Sequence, residues 1–277
     1  MPTHYISLRE VRAYNGWLPL RVKGEVLSRI EGGTFQTSRK PIVDEDGDEV
    51  IVDDVVVYVE GEAVEPSFID PDKGVVGLET PPAGNALVTA DYSWHPVGDG
   101  EIALAIEAAE DEIESATGIR FYPHEKVERL KIHRGSEFSL SEPVISVQSL
   151  KVYDAGGRLV DGQAGYEVVS HETGLLRLKN YSAGTPTPPW YLTAPLEVEA
   201  RYVAGFSETP PQVRKTALLI ATYWILARVA RQVGFSEDYG GVVAAAFTSD
   251  DIGERLSILR GEIERLKAGL PKRVLRA

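Results

Sequence analysis

From Leu196 the chain alternates, with Leu196, Val198, Ala200 and Tyr202 pointing one way and Glu197, Glu199 and Arg201 the other. A period of two predicts a half-buried strand. Ala204-Gly205 turns the chain, and Glu208-Thr209-Pro210-Pro211 opens a helix, with Thr209 or Glu208 at the cap and proline in the first turn. From Thr216 to Ala227 there is no charge, and Leu218, Ile220, Tyr223, Trp224 and Ile225 leave little room for a solvated face. A helix apolar on nearly all sides is buried on nearly all sides. The run is too short to span a bilayer, which takes ~20 apolar residues. Tyr202, Ile220 and Trp224 are therefore expected in the core, with this helix both at the centre of the fold and at a seam between subunits.

Two further helices follow from period and caps. One runs from Glu101 to about Thr117, with Asp99 at the N-cap and Gly118 in the left-handed closing position. Ile102, Ile106, Ala109, Ile113 and Ala116 make a narrow apolar stripe, and Glu107, Glu110, Asp111 and Glu114 the opposite face. That acidic face is either solvated or turned towards a neighbour's arginines or a lumen. The other helix starts at Ser249, after the Gly-containing connection Gly234–Thr248. Its apolar residues Ile252, Leu256, Leu259, Ile263, Leu266 and Leu270 step by four and three, and Lys272, Arg273 and Arg276 follow. An amphipathic helix after a loose linker either docks on another chain or folds back on its own.

The remaining segments read as strands: Leu18–Val26, Val50–Val59, Val127–Ile132, Ser136–Leu140 and Val144–Tyr153. The two halves resemble each other. Val57-Tyr58, Gly61, Val64, Gly74–Leu78 and Ala90-Asp91-Tyr92 are matched in order by Val152-Tyr153, Gly156, Val160, Gly174–Leu178 and Ala200-Arg201-Tyr202. Two β modules of shared architecture are expected. The fold class is α+β: a long buried helix with flanking helices, one antiparallel β module at the N-terminus and one inserted between the helices. Residues 1–97 form the first module, 98–233 the core, and 234–277 the linker and last helix.

Composition changes the picture in three ways. Of 277 residues, 43% are hydrophobic and 26% charged, which fits a folded protein. A net charge of −13 and a pI near 4.9 repel phosphate backbones, which argues against gripping nucleic acid but suits a smooth channel through which DNA slides. The absence of cysteine removes disulfides and thiolate metal sites. The opening MPTHYISLREVRAYNGW lacks the basic-then-apolar pattern of a secretory signal, so export by that route is not expected. The histidines His4, His95, His124, His133 and His171 have no metal-ligand spacing, and no nucleophile elbow, P-loop or dinucleotide fingerprint occurs. Asp44, Asp46 and Asp48 are spaced as in a calcium loop, but Glu49 and Val55 stand where glycine and the bidentate glutamate belong, so an acidic hairpin turn explains them better. No enzyme activity, metal or cofactor is expected. Trp94, Trp190 and Tyr191 leave a glycan-binding or adhesive β module as the alternative.

A resemblance then appears. Ile113-Glu114, Thr117-Gly118 and Phe121 close a helix, and Pro143-Val144-Ile145-Ser146-Val147-Gln148-Ser149-Leu150-Lys151-Val152-Tyr153-Asp154 follows, then Gly156. After these come Tyr166-Glu167-Val168, Gly174–Leu178, Val198, Tyr202, Val203-Ala204-Gly205, Pro210-Pro211 and Val213–Arg228. Across about residues 99–231 this order resembles the head–tail connector (adaptor) proteins of long-tailed bacteriophages and gene-transfer particles. The resemblance implies a structural virion protein in the neck between capsid and tail, assembled in the host cytoplasm. It would form a homo-oligomeric ring, usually of twelve, under the portal protein, contact tail or tail-completion proteins, and let DNA pass without sequence-specific binding. A host-side structural protein descended from such a virus would carry the same pattern. No membrane partner is implied. A ring needs two complementary faces on one subunit; Glu107, Glu110 and Glu114 against Arg214, Arg228 and Arg231 are the expected pair. Ile252, Leu256, Leu259, Ile263, Leu266 and Arg273 are the expected residues for docking the portal or another partner.

Overall fold

The computed structural model describes residues 4–47, 51–132, 136–179, 196–233 and 249–272. Among them are five helices and four antiparallel sheets, an α+β architecture. Contacts group the chain into two compact units, Met1–Glu110 with Lys215–Leu266, and Asp111–Arg214 with Lys267–Ala277.

The first unit opens with α1 (Leu8–Asn15), started by a capping box that the sequence carries as Ser7-x-x-Glu10. Ser7 Oγ accepts from the Glu10 amide at 3.2 Å, Glu10 Oε2 accepts from the Ser7 amide at 2.8 Å, and Gly16 closes the helix at φ +70°. Eight strands follow: β1 (Leu20–Val26), β2 (Ser28–Glu31), β3 (Thr34–Gln36), β4 (Val56–Val59), β5 (Glu62–Val64), β6 (Phe68–Asp70), β7 (Val75–Gly77) and β8 (Val88–Trp94). They form two sheets, ordered β1-β8-β4-β5 and β2-β3-β7-β6. Leu27, Phe35, Val57, Val76, Val88 and Tyr92 are the heart of their core, each such side chain contributing about 1.5–3 kcal/mol by leaving water. The strand expected over Val50–Val59 begins later, because Ile51–Asp54 makes a single helical turn, α2. Asp53 and Asp54 disfavour a strand, and Asp54 Oδ2 takes the Glu45 amide at 2.6 Å instead.

The second unit repeats this plan. Its strands are β9 (His124–Ile132), β10 (Glu137–Ser139), β11 (Val144–Tyr153), β12 (Leu159–Asp161), β13 (Tyr166–Ser170), β14 (Leu175–Leu178) and β15 (Leu196–Ala204). The sheet β9-β15-β11-β12 matches β1-β8-β4-β5, and β10-β14-β13 matches β3-β7-β6. The agreement reaches single atoms. Glu25 pairs across from Ala90 as Glu128 does from Ala200, and Phe35 from Val76 as Phe138 does from Leu176. The strand-leading glycines Gly74 and Gly174 sit at φ +65° and +63°, and their carbonyls accept from Thr37 and Leu140 at 2.9 Å each. Inside each module a tyrosine hydroxyl donates to a glutamate, Tyr92 to Glu25 and Tyr202 to Glu128 at 3.0 Å. The same glutamates accept from the Ser38 and Ser141 amides, each at 3.0 Å. Burial first, then the carboxylate, pushes both phenols well above the ordinary tyrosine value. One detail departs from the sequence match: Leu150, not Val152, stands opposite Ala200 as Val57 stands opposite Ala90. The slip is two residues, so the buried face is unchanged.

Three longer helices complete the fold: α3 (Asp99–Thr117), α4 (Pro211–Val233) and α5 (Ser249–Gly269). Gly118, at φ +69°, closes α3. Asp99 opens it, but its carboxylate is used elsewhere: Oδ1 holds buried Arg12 at 2.7 Å and Oδ2 accepts the Asp44 amide at 2.8 Å. On α4, Ala217, Leu219, Ile220, Ala221, Ile225 and Leu226 are buried, and so are Thr216 and Thr222. Tyr202 and Ile220, at 0% and 1% exposure, lie in the core; Trp224, expected beside them, is 46% exposed. The reason is phase. Arg228 and Arg231 define a solvent stripe on the last turns of α4, and Trp224 lies one turn before them on the same side.

Candidate functional site

Possible chemistry is quickly placed. His95 is buried, with Nδ1 accepting from the Val97 amide at 3.0 Å, and burial followed by the Arg12 charge depresses its pKa to about 4. It stays neutral and structural. His4 and His171 are exposed, and His171 Nδ1 lies 2.7 Å from the Val144 carbonyl. His124 Nε2 stands 3.0 Å from Glu142, a carboxylate that Lys126 also meets. His133 lies outside the described residues, as do Asp48, Glu49, Trp190, Tyr191 and the connection Gly234–Thr248. Trp94 is half-buried on β8 under the Arg39 guanidinium, 5.1 Å from its ring, which fastens it to its own sheet.

Asp44, Asp46 and Asp54 bring one carboxylate oxygen each within 4.8 Å, and these three could hold a cation. Asp54 comes from α2, so the set differs from the one the loop spacing indicates. Hydrogen bonds describe a turn here: Asp44 Oδ1 accepts from the Asp46 and Gly47 amides at 3.0 and 2.6 Å. Burial, and then Asp44, Asp46 and Glu45 against the pull of the Glu45 amide, raises the Asp54 carboxyl above its ordinary value.

The expected interface residues meet different fates. Glu107, Arg214, Arg228 and Arg231 are exposed. Glu110 Oε1 accepts from the His4 and Tyr5 amides at 2.7 and 2.8 Å, and Glu114 stands 3.4 Å from Arg120, so both are engaged within the chain. On α5, Ile252, Leu259 and Ile263 are buried and Leu256 and Leu266 half-buried, so the apolar stripe offered for docking is turned into its own chain. Lys215 on α4 holds Glu262 of α5 at 2.7 Å. Arg273 lies outside the described residues.

What the pattern left unread is a groove in the first unit. Leu104, Ala105 and Ala108 of α3 and Trp224, Ile225 and Ala227 of α4 line a space of about 270 Å³ together with Glu101, Arg228 and Arg231. Leu104 is 63% exposed. Its signal was present: it is apolar yet out of phase with the stripe through Ile102, Ile106 and Ala109. Glu101 Oε1 lies 3.3 Å from Arg228 Nε at an angle that makes an ion pair but no hydrogen bond. Burial raises the Glu101 carboxyl, Arg228 lowers it and Asp72 raises it again, for a net upward shift. A groove of aliphatic and aromatic walls with a few charged side chains binds another polypeptide's side chains better than it performs a reaction.

Among the described residues no helix is long and apolar enough to cross a membrane. No protein-family model matches the chain, and no curated protein does. Among solved structures the chain is similar to one from the neck of an empty gene transfer agent particle computed with C6 symmetry, at 21% identity over 46% of this chain and 67% of that one, with a TM-score of 0.33. It is also similar to a chain in the virion of a native gene transfer agent particle, at 22% identity over 65% of this chain and 81% of that one, with a TM-score of 0.34.

Proposed function

We propose that this chain is a structural virion protein. It forms a ring, a dodecamer, beneath the portal, joins capsid to tail, and lets DNA pass through its lumen. The observation that carries this is where the residues of the connector resemblance fall. Thr117 Oγ1 donates to the Ile113 carbonyl at 2.8 Å, Gly118 turns the chain, and Phe121 stacks on Phe206 with ring centroids 5.6 Å apart. The Gly205 amide donates to the Pro143 carbonyl at 3.1 Å and the Phe206 amide to the Phe121 carbonyl at 3.3 Å. Gly205 stands at φ +99°, where a Cβ would fall well inside contact distance of the Tyr122 carbonyl oxygen. Helix end, strand start and strand end thus meet in one knot whose residue types are each required by geometry. A shared pattern of that kind supports shared architecture rather than chance composition.

Net charge supports the lumen assignment, because −13 per chain lets DNA slide without being held. Glu107, Arg214 and Arg231 remain the interface residues in this proposal. Negative-stain images of the purified chain mixed with portal protein test it. Rings seated on the portal are expected; isolated single chains beside bare portals would refute it.

A further inference from the structure

We propose that neighbouring copies join head to tail, the outward face of α5 from one chain seating in the α3/α4 groove of the next. The seam presupposes the ring proposed above and names its contact. Three observations carry it. The groove presents two large apolar side chains to solvent, Leu104 at 63% and Trp224 at 46% exposure, beside Arg231 and the Arg228–Glu101 ion pair. Arg231 and Glu254 have no partner among the described residues, and Glu254 lies on the outward face of α5 beside Ile258, itself 62% exposed. An apolar residue flanked by an acid therefore faces out from one helix, and an apolar groove flanked by the cation Arg231, unpaired among the described residues, from two others.

The third observation is direction. Lys215 of α4 holds Glu262 of α5, and Thr222 of α4 accepts from Asn15 Nδ2 at 3.0 Å while Arg255 of α5 donates to Asn15 Oδ1 at 3.4 Å. At 100° per residue, Lys215 and Thr222 lie roughly 160–180° around α4 from Trp224. So α5 and the groove flank α4 on opposite sides. A contact between one chain's α5 and the next chain's groove is heterologous, uses different faces on each copy, and repeats by rotation until it closes. Seating a helix in an apolar groove is a common mode of recognition. A two-fold pairing of grooves would bring like charges together and leave Ile258 uncovered.

The chain has no cysteine, so disulfide trapping reads the seam directly. Under mild oxidation the Leu104→Cys, Ile258→Cys double variant is expected to give a ladder of cross-linked species. An equimolar mixture of the two single variants should stop at a heterodimer. Arg231→Glu and Glu254→Arg should each weaken association roughly two- to fivefold, with recovery in the double variant. If rings form on the portal without any ladder, the seam is wrong and the ring stands. If Leu104→Cys cross-links to itself, the contact is two-fold and the head-to-tail seam is overturned. Should the wild-type chain form neither ring nor multimer with or without portal, both proposals fall.

Discussion

Replacing Gly205 with alanine is the sharpest probe of the knot on which the connector reading rests. Two penalties apply at that position. A side chain at φ +99° is strained, and its Cβ would collide with the Tyr122 carbonyl, which is backbone and cannot swing away. Left-handed strain costs ~1–2 kcal/mol and overpacking ~1–3, so the substitution should destabilise its unit by about 2–5 kcal/mol. At a few degrees per kcal/mol, the melting temperature should fall by roughly 5–15 °C. Two other glycines separate the contributions. Gly157 has φ +78° with nothing within 4 Å of an added Cβ, so Gly157→Ala reports strain alone. Gly84 has open space and no positive φ, so Gly84→Ala should be neutral or slightly stabilising. Differential scanning calorimetry of the three variants ranks them. If Gly205→Ala melts no lower than Gly157→Ala, the close approach of the two backbones is not real, and the knot fails with it.

Other perturbations address the remaining assignments. Tyr92→Phe and Tyr202→Phe each remove a donor to a partly buried carboxylate, and urea titration should show losses of about 1.5–3 kcal/mol, similar in the two because the modules are built alike. Lys126→Met leaves the Glu142 carboxylate, 8% exposed, without its cation; a loss of about 3–5 kcal/mol is expected, and little change would mean the pair is solvated. His95 has a folded-state pKa below its unfolded value, so between pH 6.5 and about 4 the unfolded chain binds a proton that the folded chain does not. Stability should therefore fall by up to about 3 kcal/mol as pH drops through that window, and His95→Gln should flatten the slope measured by pH-dependent unfolding. Ile220→Ala should cost about 2–5 kcal/mol, whereas Trp224→Ala should cost well under half of that; equal losses would put Trp224 back in the core.

The chain's local signals were largely readable. Alternation from Leu196 to Tyr202 became β15, the uncharged run from Thr216 to Ala227 became the middle of α4, and the glycine-led segments at Gly74 and Gly174 became matched strands. Even the repeat was visible, because strand order and turn glycines survive where individual residues differ. The helix α1 carried its capping box in plain view at Ser7 and Glu10, yet its eight residues make only about two turns and its buried face includes Arg12 beside Leu8 and Val11, so apolar spacing alone passes it over. Arg12 is buried because Asp99, 87 residues away, neutralises it and the Trp17 and Val97 carbonyls also accept from its guanidinium, and no local pattern encodes such partners. Glu110 likewise looked free on a helical wheel but is taken by the amides of His4 and Tyr5. Trp224 failed for a related reason. Hydrophobicity says that a tryptophan wants cover, while the phase set by Arg228 and Arg231 decides that its own chain covers only half of it.

Native mass spectrometry of the chain mixed with purified portal tests the central claim most directly. A single complex carrying twelve copies per portal ring is the predicted result. Portal that remains bare, or that binds one copy at a time without a preferred stoichiometry, would contradict it.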